Sequence, residues 1–258
     1  YMTAREQLVA FSTIVNKEFT RFLRIWQQTI LPPVITTFLY FVIFGNLIGP
    51  RIGLMDGFDY IDFIVPGIIL MQVITSSYAN VVSSFFGAKF QNSIEEILVS
   101  PTPNYVILLG YTMGGVARGI IVGLIVTIVS LLFSDMRIHN PGVLMSVVIL
   151  TSVLFSLGGF TNAVFAKSFD DVSIVPTFVL TPLTYLGGIF YSINMLPGFW
   201  QNISMGNPIL YMINAFRFGF LGISDISLWI SYLIVLIFII TLFTINLSLL
   251  HRGYGIRT

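Results

Sequence analysis

The chain has 258 residues, of which 56% are hydrophobic and 9% charged, with a net charge of +1 and no cysteine. A soluble domain carries about a quarter charged residues, so this chain cannot cover itself with polar groups in water, and lipid must be most of its solvent. The missing cysteine excludes disulfides, thiolate metal sites and a thiol nucleophile, while the net charge by itself argues neither for nor against nucleic acid.

The first 28 residues are amphipathic and mixed in charge, unlike a cleavable signal, and Tyr1 ahead of Met2 suggests a trimmed or tagged start. Residues 3–26 predict an amphipathic interface helix. Lys17, Arg21 and Arg24 recur at i, i+4 and i+7 as one basic stripe, and Phe11, Ile14, Val15, Phe19, Phe22 and Leu23 supply apolar surface elsewhere. Such a helix lies at the headgroup boundary with its cations near phosphates, and Trp26 suits that interface. Six apolar runs follow that approach the roughly 20 residues a spanning helix needs: 29–49, 61–82, 105–133, 143–165, 173–191 and 228–250. They are too long for the strands of a membrane barrel, which alternate over about ten residues. The connection 50–60, with Asp56 and Asp59, reads as a short loop.

Between the second and third runs stands K-F-Q-N-S-I-E-E-I-L-V-S-P-T-P, Lys89 to Pro103. Ser93 and Glu96 have the spacing of a capping box, and Pro101 limits the helix 93–100 to two turns or so. Ile94, Ile97 and Leu98 share one face. Glu95 and Glu96 point about 100° apart, so they do not face one substrate as an acid/base pair, and a docking helix is the better reading. In the third run Gly115-x-x-x-Gly119-x-x-x-Gly123 places bare backbone along one face, as close helix packing requires. Arg118 is the one charge well inside a run, where burial costs about 3 kcal/mol. It reads either as a pathway or anion contact or, preferably, as an interhelical ion-pair or carbonyl partner. Asp170 or Asp171 suits a helix N-cap. Pro176 and Pro182, with Gly187 and Gly188 beyond them, predict a kink or break in the fifth run, and a static bend and a hinge stay equally open. The connection 192–227 is too aromatic for a solvated loop and too interrupted by Pro197 and Pro208 to span, which leaves a pair of short helices dipping into the outer leaflet and shielded by neighbouring protein.

With the N-terminus inside, one face holds Arg5, Lys17, Arg21, Arg24, Lys89, Lys167, Arg252 and Arg257 and the other only Arg51, Arg137 and Arg217, which predicts cytoplasmic termini. His139 and His251 then fall on opposite sides. No P-loop motif occurs, and no cluster has metal-ligand spacing. The hydroxyls and amide scattered in the second run (Thr75, Ser76, Ser77, Tyr78, Asn80) and in the fifth (Thr177, Thr181, Thr184, Tyr185) suit an amphipathic cargo better than a free ion. An ion-gradient-driven secondary transporter, the main alternative, needs a buried carboxylate or a broken-helix cation site, and every Asp and Glu lies outside the six apolar cores, with Asp62 at the very start of the second run. A membrane-embedded enzyme needs clustered acid/base groups, which are missing, and a non-transporting scaffold stays open.

The stretches P-T-F-V-L-T-P-L-T-Y-L-G-G-I-F-Y-S-I-N-M-L-P-G-F-W-Q (Pro176 to Gln201) and N-P-I-L-Y-M-I-N-A-F-R-F-G-F-L-G (Asn207 to Gly222) resemble the permease subunits of ABC-2 type transporters. F-F-G-A-K-F-Q-N-S-I-E-E-I-L-V-S-P (Phe85 to Pro101) and F-A-K-S-F-D-D (Phe165 to Asp171) are similar to a bacterial inner-membrane branch of that family. The resemblance implies an all-α, type V exporter-like membrane domain with six transmembrane helices. It implies a homodimer with two copies of a separate ATPase subunit that carry the ATP and magnesium, no cofactor in this chain, no enzymatic activity of its own and no nucleic-acid partner. Residues 93–100 (Ser93, Ile94, Glu95, Glu96, Ile97, Leu98) would be a cytoplasmic coupling helix docked on the ATPase, and the N-terminal helix with Lys17, Arg21 and Arg24 a connecting helix. Residues 196–218 would be a re-entrant hairpin with Pro197, Trp200, Asn207, Pro208 and Arg217. The second and fifth spans would line the cargo path or hinge it, through Thr75, Tyr78, Pro176, Thr181, Pro182, Tyr185, Gly187 and Gly188. The cargo itself is not specified.

Overall fold

In a computed structural model the chain is described for residues 2–135 and 138–253, apart from the side chains of Glu95, Ile97 and Leu98. Arg137 and Arg257, counted above for orientation, lie outside the described residues. The chain is helical almost throughout. The N-terminal helix α1 (Ala4–Arg24) opens on a capping box, with Thr3 and Glu6 each bonded to the other's backbone N–H. T-x-x-E is legible in the sequence, and it fixes the start one residue inside the predicted 3–26 segment. Helical α2 (Trp26–Ile52) follows after one non-helical residue, Ile25. The Thr29 hydroxyl donates to the Phe22 carbonyl at 2.9 Å and so ties the elbow between them. A two-residue hairpin, β1 (Leu54–Met55) and β2 (Phe58–Asp59), turns the chain through Asp56 and Gly57, both at positive φ.

The remaining long helices are α3 (Tyr60–Phe90), α5 (Asn104–Ser130), α6 (Pro141–Phe165) and α10 (Leu228–Arg252), with the short helix α4 (Ile94–Val99) between α3 and α5. Among the described residues five helices are long and apolar enough to cross a membrane: α2, α3, α5, α6 and α10. Each covers one of the predicted runs, with ends moved by a few residues. The largest extension is at the end of α3, which continues eight residues past the predicted 61–82 boundary to Phe90. At 31 residues α3 is about 46 Å long, more than the roughly 30 Å of hydrocarbon, so part of it projects beyond.

The fifth predicted span differs. Instead of 173–191 the helix α7 covers 169–185, built from Phe169–Val175, a π-type stretch Pro176–Leu180 and Thr181–Tyr185. At about 26 Å it is too short to span by length. The two prolines act as expected, and their outcome is a widened turn in a continuous helix. Pro176 has no N–H for the Val172 carbonyl, which instead accepts from Asn162 Nδ2 of α6 at 3.1 Å. The Thr181 N–H then reaches back five residues to the Pro176 carbonyl. Beyond Tyr185 the chain turns at Gly188, φ +77°. Neither Asp170 nor Asp171 is the N-cap expected of them: Ser168 holds that position and Asp171 completes a capping box with it from the first turn of α7.

The apolar connection 192–227 forms two helices, α8 (Gly198–Met205) and α9 (Pro208–Leu221), after a 3₁₀ turn at Ile193–Met195. Asn207 caps α9 by accepting from the Ile209 N–H at 3.0 Å, with Pro208 at the first helical position, where its missing N–H costs nothing. Gly222, φ +74°, closes it. Two helices therefore stand where the 196–218 hairpin was expected, and the second runs to Leu221.

The core sits around α3, which packs against α5, α6 and α9 and is the most buried span, whereas α2 and α10 leave most of their apolar surface outside the bundle. Gly115 faces Ser156 and Val81, Gly119 faces Ser77 and Ser152, and a Cβ on Gly123 would stand 2.9 Å from Val73 Cγ2, so the glycine ladder is the packing groove expected of it. We predict that Gly119→Val costs about 2 kcal/mol, through overpacking against two backbone-near serines. It should be read as a fall of several degrees in the melting temperature of the detergent-solubilised protein, and an unchanged melting temperature would contradict this packing.

Candidate functional site

Between α3 and α7 runs an open groove of about 450 Å³, with Tyr40 of α2 among its lining residues. Its hydroxyls are Thr75, Tyr78 and Ser83 from α3, and Ser173, Thr177, Thr181, Thr184 and Tyr185 from α7; Met71, Val82, Val172, Pro176 and Leu180 supply apolar wall. No lining residue carries a formal charge. Several threonines are bonded to their own helix: Thr75 to the Met71 carbonyl at 2.9 Å, Thr181 to Pro176 at 2.9 Å and Thr184 to Leu180 at 2.6 Å. Tyr40 and Tyr185 meet through their hydroxyls at 3.4 Å.

The groove thus brings together five of the residues expected to line a path: Thr75, Tyr78, Pro176, Thr181 and Tyr185. Pro182 is exposed and off the groove. Gly187 and Gly188 belong to a joint with the hairpin. A Cβ on Gly187 would stand 2.8 Å from Ile209 and 2.9 Å from Ile213. The Gly188 carbonyl accepts from Arg217 at 2.6 Å. Ser76, Ser77 and Asn80 are buried in the bundle and do not line the groove.

Arg217, expected in an outer connection, is 2% exposed, with its guanidinium 3.9 Å from the Phe63 ring centroid. Asn207 Nδ2 donates to the Leu183 carbonyl at 2.6 Å, so the hairpin is bolted to the end of α7 at two carbonyls. Pro197 stands at the N-cap of α8, and Trp200 is exposed on it beside Phe199. Arg217 also lines a cavity of about 100 Å³ with Asp56, Ser224 and Asp225. Burial pushes the Asp225 carboxyl above the usual carboxylate range, against the opposing pull of Arg217.

The basic stripe of α1, expected to stand near lipid phosphates, is divided: Lys17 and Arg24 are exposed, and Arg21 is not. Arg21 turns inward, ion-paired with Glu18 at 3.3 Å and donating to both the Asn80 carbonyl and the Asn80 side chain at 2.9 Å. Glu18 is fully buried and accepts from the Ser84 hydroxyl at 2.5 Å, and exposed Lys17 stands 5.8 Å over the Tyr111 ring. The helix packs on α5, with Glu18 over Gly114 and Ile14 over Gly110, and buried Phe22 falls on the inward side. The expectation failed at Arg21 because helical spacing gives a face but not what that face meets. Glu18 corrects a second expectation: a carboxylate outside the apolar runs is nonetheless buried, although paired. The signal was present as E-x-x-R, Glu18 to Arg21. Arg118, 9% exposed, donates to the Thr29 carbonyl at the elbow at 3.5 Å, in keeping with the carbonyl-partner reading. No group of three or more metal-ligating side chains occurs among the described residues.

The short helix α4 follows a left-handed turn at Asn92, φ +58°, a conformation asparagine tolerates. The expected capping box is not made. Ser93 has helical backbone angles and its hydroxyl donates to the Ala88 carbonyl at 3.1 Å. Ile94 is buried and so is not free for a partner, whereas Glu96 is exposed. The side chains of Glu95, Ile97 and Leu98 lie outside the described residues. Pro101 ends the helix as its position demands.

The profile of the ABC-2 type transporter family matches residues 9–221. The inner membrane transport permease YadH of Escherichia coli K12 is 58% identical over 250 residues, 97% of this chain and 98% of that protein. Nodulation protein J of Rhizobium leguminosarum bv. viciae is 24% identical over 217 residues, 83% of each chain.

We predict that Arg21→Met, which strands Glu18, destabilises by about 2 kcal/mol, below the roughly 3–5 kcal/mol of a wholly buried pair because Arg21 is 28% exposed. Adding Glu18→Gln should restore part of it, and strictly additive melting shifts in that double-mutant cycle would show the pair uncoupled.

Proposed function

Because the chain belongs to the ABC-2 type transporter family and is a transport permease, we propose that it is the membrane-spanning subunit of an ATP-binding cassette exporter. It moves an amphipathic or lipid-linked substrate across the bacterial inner membrane and is powered by a separate ATPase subunit. The observation that carries the reading is the α3–α7 groove. It gathers hydroxyls and apolar side chains from the two helices expected to wall the path, and it holds no charge. A cargo with one polar and one apolar part can pass such a wall without stripping a charge of its hydration, whereas a bare ion cannot.

An open groove on one subunit becomes an enclosed path only when a second copy covers it, and two copies, each with its ATPase, supply that. Nucleotide and magnesium sit on the ATPase. Helix α4, with exposed Glu96 and the segment through Leu98, is the docking helix, and cytoplasmic termini place it on the ATPase side. The hairpin α8–α9 closes the outer end of the groove, because Arg217 and Asn207 fasten it to the last turn of α7 and beyond. The gradient-driven alternative has no observation in its favour, since the one fully buried carboxylate among the described residues, Glu18, is paired with Arg21 and lies off the groove.

The test is co-purification with the cognate ATPase. The variant Glu96→Lys/Leu98→Asp should lose co-purification, and ATP turnover should fall to that of the ATPase alone. Retained complex with unchanged turnover would remove the docking assignment. Vesicles in which the isolated chain moves cargo at full rate without the ATPase would remove the whole reading.

A further inference from the structure

Lys89 is the last cation before α4 and stands near the end of the long helix α3. Its ammonium donates to the Val164 and Ala166 carbonyls, both at 2.8 Å. These are carbonyls at the C-terminal end of α6 and the first residue past it, groups a helix cannot satisfy by itself and which favour a cation. Both residues are buried. Lys89 therefore caps α6 from another helix, at the elbow 166–168 from which α7 starts. A second contact lies one step further on. Phe169, the first residue of α7, packs its ring against Phe86 at 5.0 Å and Phe90 at 4.9 Å, on either side of Lys89 in sequence. Helix α4 is fixed to the same end of α3, through Ser93 to the Ala88 carbonyl and through buried Ile94.

We infer that Lys89, with Phe169 between Phe86 and Phe90, is a positioning strut. It locks the ends of α3 and α7, the two helices that wall the groove, into one unit, so that displacement of α4 resets the width of the groove. Lys89 is not on the groove and touches no cargo. It acts by setting where α7 begins relative to α3. The reading of α4 as the helix that receives force supplies only the origin of the movement; the strut itself is a property of this chain alone.

The chain has no native cysteine, so paired cysteines report on the groove without background. Ser83→Cys and Ser173→Cys place one thiol on each wall, and a short bifunctional thiol reagent measures how often the walls stand close in nanodiscs holding this chain without an ATPase. With Lys89→Met the cross-linked yield should fall severalfold, and with Lys89→Arg it should stay close to that of the parent. A Lys89→Met protein that melts lower yet cross-links like the parent would reduce Lys89 to a static cap and overturn the proposal. Should Lys89→Met fail to fold, Phe169→Ala, which leaves both lysine bonds in place, decides. A severalfold lower yield supports the strut and an unchanged yield overturns it. Since no ATPase is present, loss of docking in the α4 variant and loss of cross-linking in these variants are separate failures.

Discussion

A polar group inside a bilayer has no water to turn to, so each one must find its partner within the chain. Four of the cations of this protein meet that constraint alike, by donating to backbone carbonyls. Arg118 reaches Thr29, Arg217 reaches Gly188, Arg21 reaches Asn80, and Lys89 reaches Val164 and Ala166. Three of these four acceptor sites lack an ordinary intrahelical donor: Val164 and Ala166 stand at a helix end, Gly188 in a turn, and Thr29 four residues before Pro33, which has no N–H. The few charges left in an apolar chain are therefore placed at joints. They hold the elbow between α1 and α2, the seat of the hairpin, and the passage from α6 to α7.

The same logic explains how α7 keeps its prolines. A carbonyl orphaned by Pro176 would be costly beside lipid, and Asn162 from the neighbouring α6 takes it. The helix widens there and does not break. The groove wall is thus shaped by a residue that never lines it, and the helix beside it is short because Gly188 adopts a backbone conformation that turns the chain away.

Much of the architecture was legible from hydropathy, because a run of apolar residues near the bilayer's thickness has few other uses. The glycine ladder and the Asn207–Pro208 start of α9 were legible for the same reason: each residue type answers a local backbone demand. Thr75, Tyr78, Thr181 and Tyr185 stand beside one groove, a placement that hydroxyls in an apolar run favour. What the sequence hid was tertiary. Arg21 has the spacing of a surface stripe but meets Asn80, and Glu18 lies outside any apolar run yet is buried. Ser93 has the spacing of a cap but bonds backward to Ala88. Nor did span counting reveal that 173–191 ends early, since composition does not register a turn at Gly188 followed by apolar residues.

Three of the four threonines along the groove, Thr75, Thr181 and Thr184, already spend their hydroxyl protons on their own helices, which leaves them a methyl group and lone pairs to offer. A surface of that kind grips nothing strongly. In the path proposed above, a molecule passing these threonines would meet acceptors but no free donor, so it would be held there only briefly. Selection among cargoes would then rest more on the girth of the passage than on recognition of any one headgroup by these residues.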